Sequence, residues 1–246
     1  GMPYGLASPR SFVEILQRVW WRLDRALDPV TIRASALAGG MEALLAGTTT
    51  VIDHHASPAA VGGALDIVAD ALAGLGVRSV LCYETSDRDG PRVAAEGLAE
   101  NARFIGTVSA GSYPLARGMV GAHASFTLSE ETLVASAVLA RDLAVGLHIH
   151  VAEDGADERD AEARFGLRVV ARLAAAGALA ARSLLAHGDH LDAAEIVTIA
   201  DAGATVVHNA RSNMNNGVGR TPLAAIGERV ALGTDGIGAD MFEEGR

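Results

Sequence analysis

The chain has 246 residues, half of them hydrophobic, and carries 20 lysines and arginines against 30 aspartates and glutamates. This acidic balance disfavours nucleic acid and anionic membrane surfaces as partners, because both repel a negatively charged protein. No apolar run reaches the length of a membrane span, no basic and apolar leader is recognised, and the lone Cys82 excludes an internal disulfide. We therefore expect a cytoplasmic protein with a sizeable core.

Helix caps divide the sequence into alternating segments. Serine or aspartate followed by proline, at residues 8–9, 28–29 and 57–58, predicts three helix starts, since the first residue caps the helix and proline suits its first turn. These helices are expected to run through residue 23, to near Gly47, and to the glycines at 74 and 76. Further helices are expected over residues 92–104, from Ser129 onward, over 156–176 and over 192–202.

Seven apolar runs between these helices are typical of strands covered on both faces. They are Thr48–His55, Val77–Glu84, Met119–Phe126, Gly146–Glu153, Ser183–Gly188, Ala204–Asn209 and Val230–Asp235. Strands that alternate with helices form a parallel sheet with right-handed crossovers. The pattern predicts a single α/β domain over residues 1–246, an incomplete parallel barrel.

The eight histidines lie at or just past the ends of the predicted strands, and none lies in a predicted helix. The carboxyl ends of the strands form the active-site rim of a parallel α/β barrel. Imidazoles and carboxylates gathered on one rim suit a transition-metal ion, with zinc or iron the expected species.

The densest group of polar residues is the segment from His148 to Glu153. His148 and His150 share one face of a strand, and we expect that face to be the barrel interior, because an imidazole among packed helices would need a buried partner. Glu153 follows where the strand turns into its loop, and a carboxylate there can serve as a general base. The alternative is that both histidines are hydrogen-bonded core residues.

Two other strand ends carry candidate functional groups. Asp235, which precedes Gly236, would alone be interpreted as a turn residue, but beside His150 on a barrel rim it becomes a candidate metal ligand and proton acceptor. His187 ends its strand and is preferred to His190, which begins a loop. Polar residues of segment 208–213 are expected to order the mouth of the site by hydrogen bonds.

The remaining candidates lie near the start of the sheet. His123 is placed to contact substrate. Glu84 either binds a substrate amide or pairs with Arg88. His54 and His55 are adjacent and point to opposite faces of a strand, so at most one lines the pocket, and neither is predicted as a ligand.

The order and spacing of these segments resemble the amidohydrolase superfamily. The resemblance is carried by residues 47–58, 121–129, 148–153, 186–187, 207–216 and 232–236. It is strongest to the aminohydrolase branch of guanine deaminase, the triazine hydrolases and SsnA-type aminohydrolases. The fold that this resemblance implies is a TIM-like (β/α)8 barrel of the metal-dependent hydrolase type.

The resemblance also implies roles for individual residues. One divalent metal, expected to be zinc with iron as the alternative, is held by a His-x-His pair on the first strand together with His150 and Asp235. His187 contacts the metal or polarises water, Glu153 carries protons and His123 binds substrate. The implied reaction is deamination of a small purine-like or pterin-like heterocyclic amine. The alternatives are hydrolytic dechlorination or opening of a cyclic amide at the same centre, and a non-catalytic metal-binding barrel.

This sequence departs from the family pattern in one respect. The first-strand His-x-His pair, expected just upstream of Gly1, is absent, and so is the family's small β-sandwich. We therefore expect an internal piece of a protein of roughly 400 residues or more, since its full fold requires that length. Homo-oligomers are expected for the parent protein, and weak metal binding without activity for the piece alone.

Overall fold

A computed structural model describes residues 9–246 of the chain. Its first helical segment consists of α1 (Phe12–Ile15), a π-helical turn (Leu16–Trp20) and α2 (Trp21–Ala26). The segment begins with Ser11, whose side chain accepts a hydrogen bond from the backbone N–H of Glu14. The cap predicted at Ser8 lies outside the described residues.

A parallel sheet forms the centre of the molecule. Its strands are β1 (Thr50–His55), β2 (Arg78–Thr85), β3 (Ala116–Gly118), β4 (Val120–Ala124), β5 (Leu147–Val151), β6 (Leu184–His187), β7 (Thr205–His208) and β8 (Val230–Leu232). The strands are ordered β1-β2-β4-β5-β6-β7-β8, and β3 pairs with β2. All seven predicted strands are present. The short β3 was not predicted, because it has no apolar run of its own.

Helices connect successive strands and cover the sheet. They are α3 (Pro29–Leu45), α4 (Ala64–Gly74), α5 (Pro91–Ser109), α6 (Glu130–Asp142), α7 (Gly155–Phe165), α8 (Val169–Ala175), α9 (Ala193–Ala202), α10 (Ala210–Asn216), α11 (Leu223–Ile226) and α12 (Met241–Glu244). The predicted starts at Asp28, Ser129 and Asp192 are confirmed, since each side chain accepts a hydrogen bond from the first turn of its helix.

Two helix predictions are wrong. The helix expected at residue 58 begins only at Ala64, because the Ser57 hydroxyl does not cap a helix and donates instead to the carbonyl of Ala60. The single helix expected over residues 156–176 is two helices. Gly166 has a left-handed backbone with φ of 69° and ends the first of them, as glycine does at many helix ends.

The alternation of side chains along β5 sets the orientation of the site. Leu147, Ile149 and Val151 are at most 1% exposed and pack into the apolar layer between sheet and helices. His148 and His150 therefore point to the other face, the concave interior of the curled sheet. This is the inward orientation that the sequence predicted.

The curled sheet forms a half-barrel with two edges. Within residues 9–246, β1 pairs only with β2 and β8 pairs only with β7. Ile52 on β1 is 50% exposed. The described fold is thus a parallel α/β half-barrel of the TIM-like type. None of the helices in the described part of the chain combines the length and apolar character of a membrane span.

Candidate metal and catalytic site

Strained backbone marks the carboxyl ends of three strands. Among non-glycine residues described, four have positive φ, and three of them are Ala152 after β5, His187 at the end of β6 and Asp235 after β8, with φ of 48°, 74° and 50°. Each such residue costs about 1–3 kcal/mol, and the surrounding structure must hold it in place. Strain of this kind clusters at active sites, so these strand ends are the first candidates for function.

Three side chains converge at this rim. The Nε2 atom of His187 lies 3.5 Å from a carboxylate oxygen of Glu153 and 4.0 Å from one of Asp235. Pairing of Val151 with His187 brings the ends of β5 and β6 together, and this places Glu153 beside the histidine. The donor atoms of the three residues all lie within 4.8 Å of one another, close enough to share one metal ion.

Hydrogen bonds orient the imidazole of His187, which is 1% exposed. The ring Nδ1 contacts the side-chain oxygen of Asn213 at 2.8 Å and therefore donates its proton there. Asn213 is itself held by Asp189, to which its amide donates at 2.8 Å. Nε2 is thus the atom that faces the two carboxylates, where it can hold a proton or a metal ion.

The two carboxylates of the group differ in protonation. Burial raises the pKa of Glu153 to about 7. Burial also acts to raise the pKa of Asp235, but the charge of His187 and a hydrogen bond from Ser212 outweigh it, and the net shift is downward. One acid is therefore poised to exchange protons near neutral pH, while the other stays ionised.

His150 belongs to a second group of donors. Its Nδ1 donates to the backbone carbonyl of His123 at 2.7 Å, which leaves Nε2 with a free lone pair. Burial lowers the pKa of His150 to about 4, so the ring is neutral, the form that binds metals. Donor atoms of His150, His54 and Glu84 lie within 4.8 Å of one another.

His54 is the site residue that sequence reasoning undervalued. Its Nε2 donates to the carbonyls of Ala122 and His148, both at 3.2 Å, and its Nδ1 lies 3.3 Å from a carboxylate oxygen of Glu84. A lone pair and a carboxylate this close require a proton or a cation between them. The available signal was strand alternation, since His55 points away, toward Ser57.

The other candidate residues also have defined contacts. Glu84 accepts a hydrogen bond from Arg88 at 2.6 Å, which is the ion pair named as one of its two alternatives. Burial lowers the pKa of His123 to about 3, so its ring is neutral, and Nδ1 contacts Thr127 at 2.6 Å. His190 is exposed.

His148 and Cys82 also lie on the inner wall of the half-barrel. The ring of His148 lies beside that of His54, with centroids 4.6 Å apart and an angle of 57° between the planes. Its Nδ1 lies 3.8 Å from the sulfur of Cys82. Burial raises the pKa of that thiol, which is therefore an inert core residue, in agreement with the sequence analysis.

The chemistry of the donor sets fits a divalent transition metal. Both groups combine imidazole nitrogen with carboxylate oxygen, the ligands that zinc and iron accept in proteins. Except for Asp235, whose side chain is 34% exposed, the members of the Glu153 group are shielded from solvent. The structure brings His187 and Asp235 into one group and places His150 in the neighbouring one, with the rings of His150 and His187 stacked 5.6 Å apart.

Several curated proteins are similar in sequence to this chain. A 5-methylthioadenosine/S-adenosylhomocysteine deaminase from Desulforudis audaxviator is 31% identical over 98% of this chain and 56% of its own length. A 5'-deoxyadenosine deaminase from Methanopyrus kandleri is 32% identical over 98% of this chain and 56% of its own. An 8-oxoguanine deaminase from Pseudomonas aeruginosa is 32% identical over 92% and 53%. The chain thus spans about half the length of the curated relatives it matches.

Solved structures show the same fold. A zinc-bound adenosine deaminase from Xanthomonas campestris is 25% identical with a TM-score of 0.85, over 98% of this chain and 55% of the other. A guanine deaminase from C. acetobutylicum is 16% identical with a TM-score of 0.83, over 97% and 59%, and shows the fold alone. The sequence pattern of the amidohydrolase family matches residues 8–246. Because this match includes every strand of the half-barrel and both groups of donors, the chain belongs to the amidohydrolase family.

Proposed function

We propose that the protein to which this chain belongs is a metal-dependent deaminase of a small heterocyclic amine, purine-like or pterin-like. The observation that carries the proposal is the convergence of Glu153, His187 and Asp235 at the ends of three strands, two of them on strained backbone. Relatives named as deaminases of adenosine-derived nucleosides and of 8-oxoguanine favour the purine class.

We assign one divalent ion, zinc in preference to iron, to this rim. His150 and Asp235 would hold it, with His187 at its side, and the residues fit because each offers a lone pair toward the interior of the half-barrel. When bound, such an ion supplies a nucleophilic water at neutral pH. The solved deaminase from Xanthomonas with bound zinc supports the choice of metal.

The residues of the chain perform the proton transfers. Glu153, with its pKa of about 7, accepts a proton from the attacking water and delivers it to a ring nitrogen. Asp235, which stays ionised, takes the second proton and returns it to the departing ammonia. His187 stabilises the negative charge that develops between them. One water is consumed, and the amine carbon becomes a carbonyl as ammonia leaves.

His123 and Glu84 are assigned to substrate binding. The neutral ring of His123 can donate or accept a hydrogen bond at the edge of a heterocycle. Glu84, already paired with Arg88 and His54, would act on substrate through its remaining accepting capacity. Both face the same interior as His150, because the ring of His123 on β4 lies 5.5 Å from that of His150, and a carboxylate oxygen of Glu84 on β2 lies within 4.8 Å of a ring nitrogen of His150.

The test is a substrate panel assayed for ammonia release with zinc content measured in parallel. The panel contains 5-methylthioadenosine, 5'-deoxyadenosine and 8-oxoguanine, and chloride release from a chlorinated triazine tests dechlorination. In an active protein, Glu153→Gln should keep its metal and lose about 100-fold or more in turnover, the scale of general acid–base loss. The matched control is Glu162→Gln, an exposed glutamate of α7.

Three outcomes would contradict the proposal. Near-normal turnover in Glu153→Gln would show that another group moves the proton. Chloride without ammonia would favour the dechlorination alternative. A zinc-replete protein that turns over nothing on the panel would favour the non-catalytic barrel.

A further inference from the structure

The chain has two tryptophans, and they are consecutive. Trp20 ends the π-helical turn and Trp21 begins α2. A π-helical turn is a rare backbone arrangement that is often found at functional sites. Here it places two adjacent indoles beside the rim that carries the candidate catalytic residues.

Trp20 lies on the Asp235 side of the rim. Its indole is so close to Gly236, the residue after Asp235, that a Cβ atom built on this glycine would meet ring carbon Cη2 at 3.3 Å. Any larger residue would therefore push against the indole. The absence of a side chain at Gly236 lets Trp20 rest directly on the loop that presents the Asp235 carboxylate.

Trp21 lies on the opposite side of the rim. Its ring meets that of His123 edge-on, with centroids 6.2 Å apart and an angle of 72° between the planes. The Arg88 guanidinium lies over the same indole at 5.6 Å, and Arg88 is the partner of Glu84. Trp21 thus contacts His123 directly and is linked to Glu84 through Arg88, and these are the two residues assigned to substrate binding.

Packing of the first helical segment does not by itself explain why Trp20 and Trp21 are tryptophans. Phe12, Leu16 and Val218 form a small apolar cluster against which both indoles rest, and this cluster anchors α1. Aliphatic side chains would serve that purpose without a polar atom. The Nε1 of Trp21 is instead buried with no acceptor among residues 9–246, while both indoles remain partly exposed. An unsatisfied buried donor is a liability unless something else supplies the acceptor.

We propose that Trp20 and Trp21 form an aromatic roof over the site and select a flat heterocycle by stacking on it. The Nε1–H of Trp21, which lies in the plane of the indole, donates a hydrogen bond to an acceptor of the same ligand outside the stacked ring. Indole offers a large rigid face at low entropic cost, and offset stacking on it favours planar π-systems over sugars and aliphatic amines. The inference takes its substrate class from the proposed function and therefore rests on it.

The experiment uses the intrinsic fluorescence of the chain, which arises from tryptophan at the roof alone. The 246-residue protein is titrated with 5'-deoxyadenosine and with 8-oxoguanine, with and without added zinc, exciting at the red edge of the indole band and correcting each intensity for light absorbed by the probe. Each single variant keeps one indole as reporter. Trp21→Phe retains a stacking face but loses the donor, and Trp21→Leu loses both. Tyr113→Phe, an aromatic change beside Phe104, is the matched control.

We expect saturable quenching in the wild type and in Tyr113→Phe with equal dissociation constants. The dissociation constant should rise a few-fold in Trp21→Phe and roughly tenfold or more in Trp21→Leu, the scale of one lost stacking contact with a base. Circular dichroism of each variant establishes that it is folded, and Trp21→Phe keeps the test intact if the leucine variant is not.

Failure of the roof and failure of the proposed function give different results. Ammonia release without any probe-dependent change in fluorescence refutes the roof and leaves the deaminase standing. Quenching that is weakened in the Trp21 variants, while the full-length protein releases no ammonia from any panel compound, supports the roof and refutes the deaminase. Equal affinities in all folded variants, or no response of the wild type to either probe, overturn the inference.

Discussion

Removal of the Asn213 side chain should show how the orientation of His187 supports the site. Asn213 accepts the Nδ1 proton of His187 at 2.8 Å and donates to Asp189 at 2.8 Å. Asn213→Ala leaves a ring N–H without its acceptor in a residue that is 1% exposed. The substitution also removes the hydrogen bond that Asn213 donates to Asp189, which leaves Asp189 with the one donated by the hydroxyl of Thr221 at 2.8 Å.

The loss of stability in Asn213→Ala can be estimated from these two contacts. A buried donor left without a partner costs about 1–3 kcal/mol, and loss of one of two hydrogen bonds to a carboxylate adds about 1 kcal/mol. We therefore expect Asn213→Ala to lower the free energy of unfolding by about 2–4 kcal/mol. Because the ring is then free to rotate or change tautomer, zinc affinity should fall about 10–100-fold, as for other groups that orient a metal-binding histidine.

The measurement is urea unfolding together with zinc titration. The matched control is Asn215→Ala, an exposed asparagine on the same helix, which should change stability by no more than about 0.5 kcal/mol. Asn213→Asp restores an acceptor for His187 but places a second carboxylate beside Asp189, so it should recover zinc affinity and not full stability. If Asn213→Ala behaves like Asn215→Ala in both measurements, the orienting role assigned to this hydrogen bond is refuted.

Three further predictions concern the metal, the acid and the sheet edges. His150→Ala and Asp235→Ala should each lower zinc affinity about 10–100-fold, measured by competition with a chelator; an unchanged affinity in either would remove that residue from the ligand set. Because burial raises the pKa of Glu153 from 4.5 in the unfolded chain to about 7, the folded protein loses stability as pH rises through that window. In urea unfolding without zinc, the free energy of unfolding of Glu153→Gln relative to that of the wild type should therefore rise by on the order of 3 kcal/mol between about pH 5 and pH 8. A difference between the two proteins that stays constant across this range would contradict the assignment. The outer sides of β1 and β8, which are unpaired within residues 9–246, should make the chain associate as its concentration rises. Light scattering measures this association, and Ile52→Lys on β1 should reduce it; a monomer at every concentration would show that the edges are protected.

Much of the fold follows from local patterns in the sequence. Continuous apolar runs predicted seven strands, because a strand covered on both faces needs hydrophobic residues on both. The alternation of side chains placed His148 and His150 on the interior face of β5, since a strand has no other way to arrange residues two apart. The same rule separated His54 from His55.

Other features depend on residues far apart in the sequence. Ser57 has the local signature of a helix cap, but the backbone turns there before α4 and the hydroxyl bonds to Ala60 instead. Whether His54 lines the site could not be predicted from its own strand, because its partners come from β2 and β5. Glu84 had two possible partners in the sequence, and only the structure shows that it forms the ion pair with Arg88.

The strand ends supplied the chemical groups, and the curvature of the sheet decided which of them meet. His187, Glu153 and Asp235 are separated by as many as 82 residues, and their donor atoms lie within 4.8 Å because parallel strands bring their carboxyl ends to one rim. The burial that raises the pKa of Glu153 also arises only there. The sequence around Trp20 and Trp21 gives no sign of function, because the proposed role depends on contacts with residues far along the chain. Trp20, for example, meets Gly236, which is more than 200 residues away. Local residue patterns determine which face a side chain occupies, whereas distances between side chains from different strands arise only when the whole sheet curls.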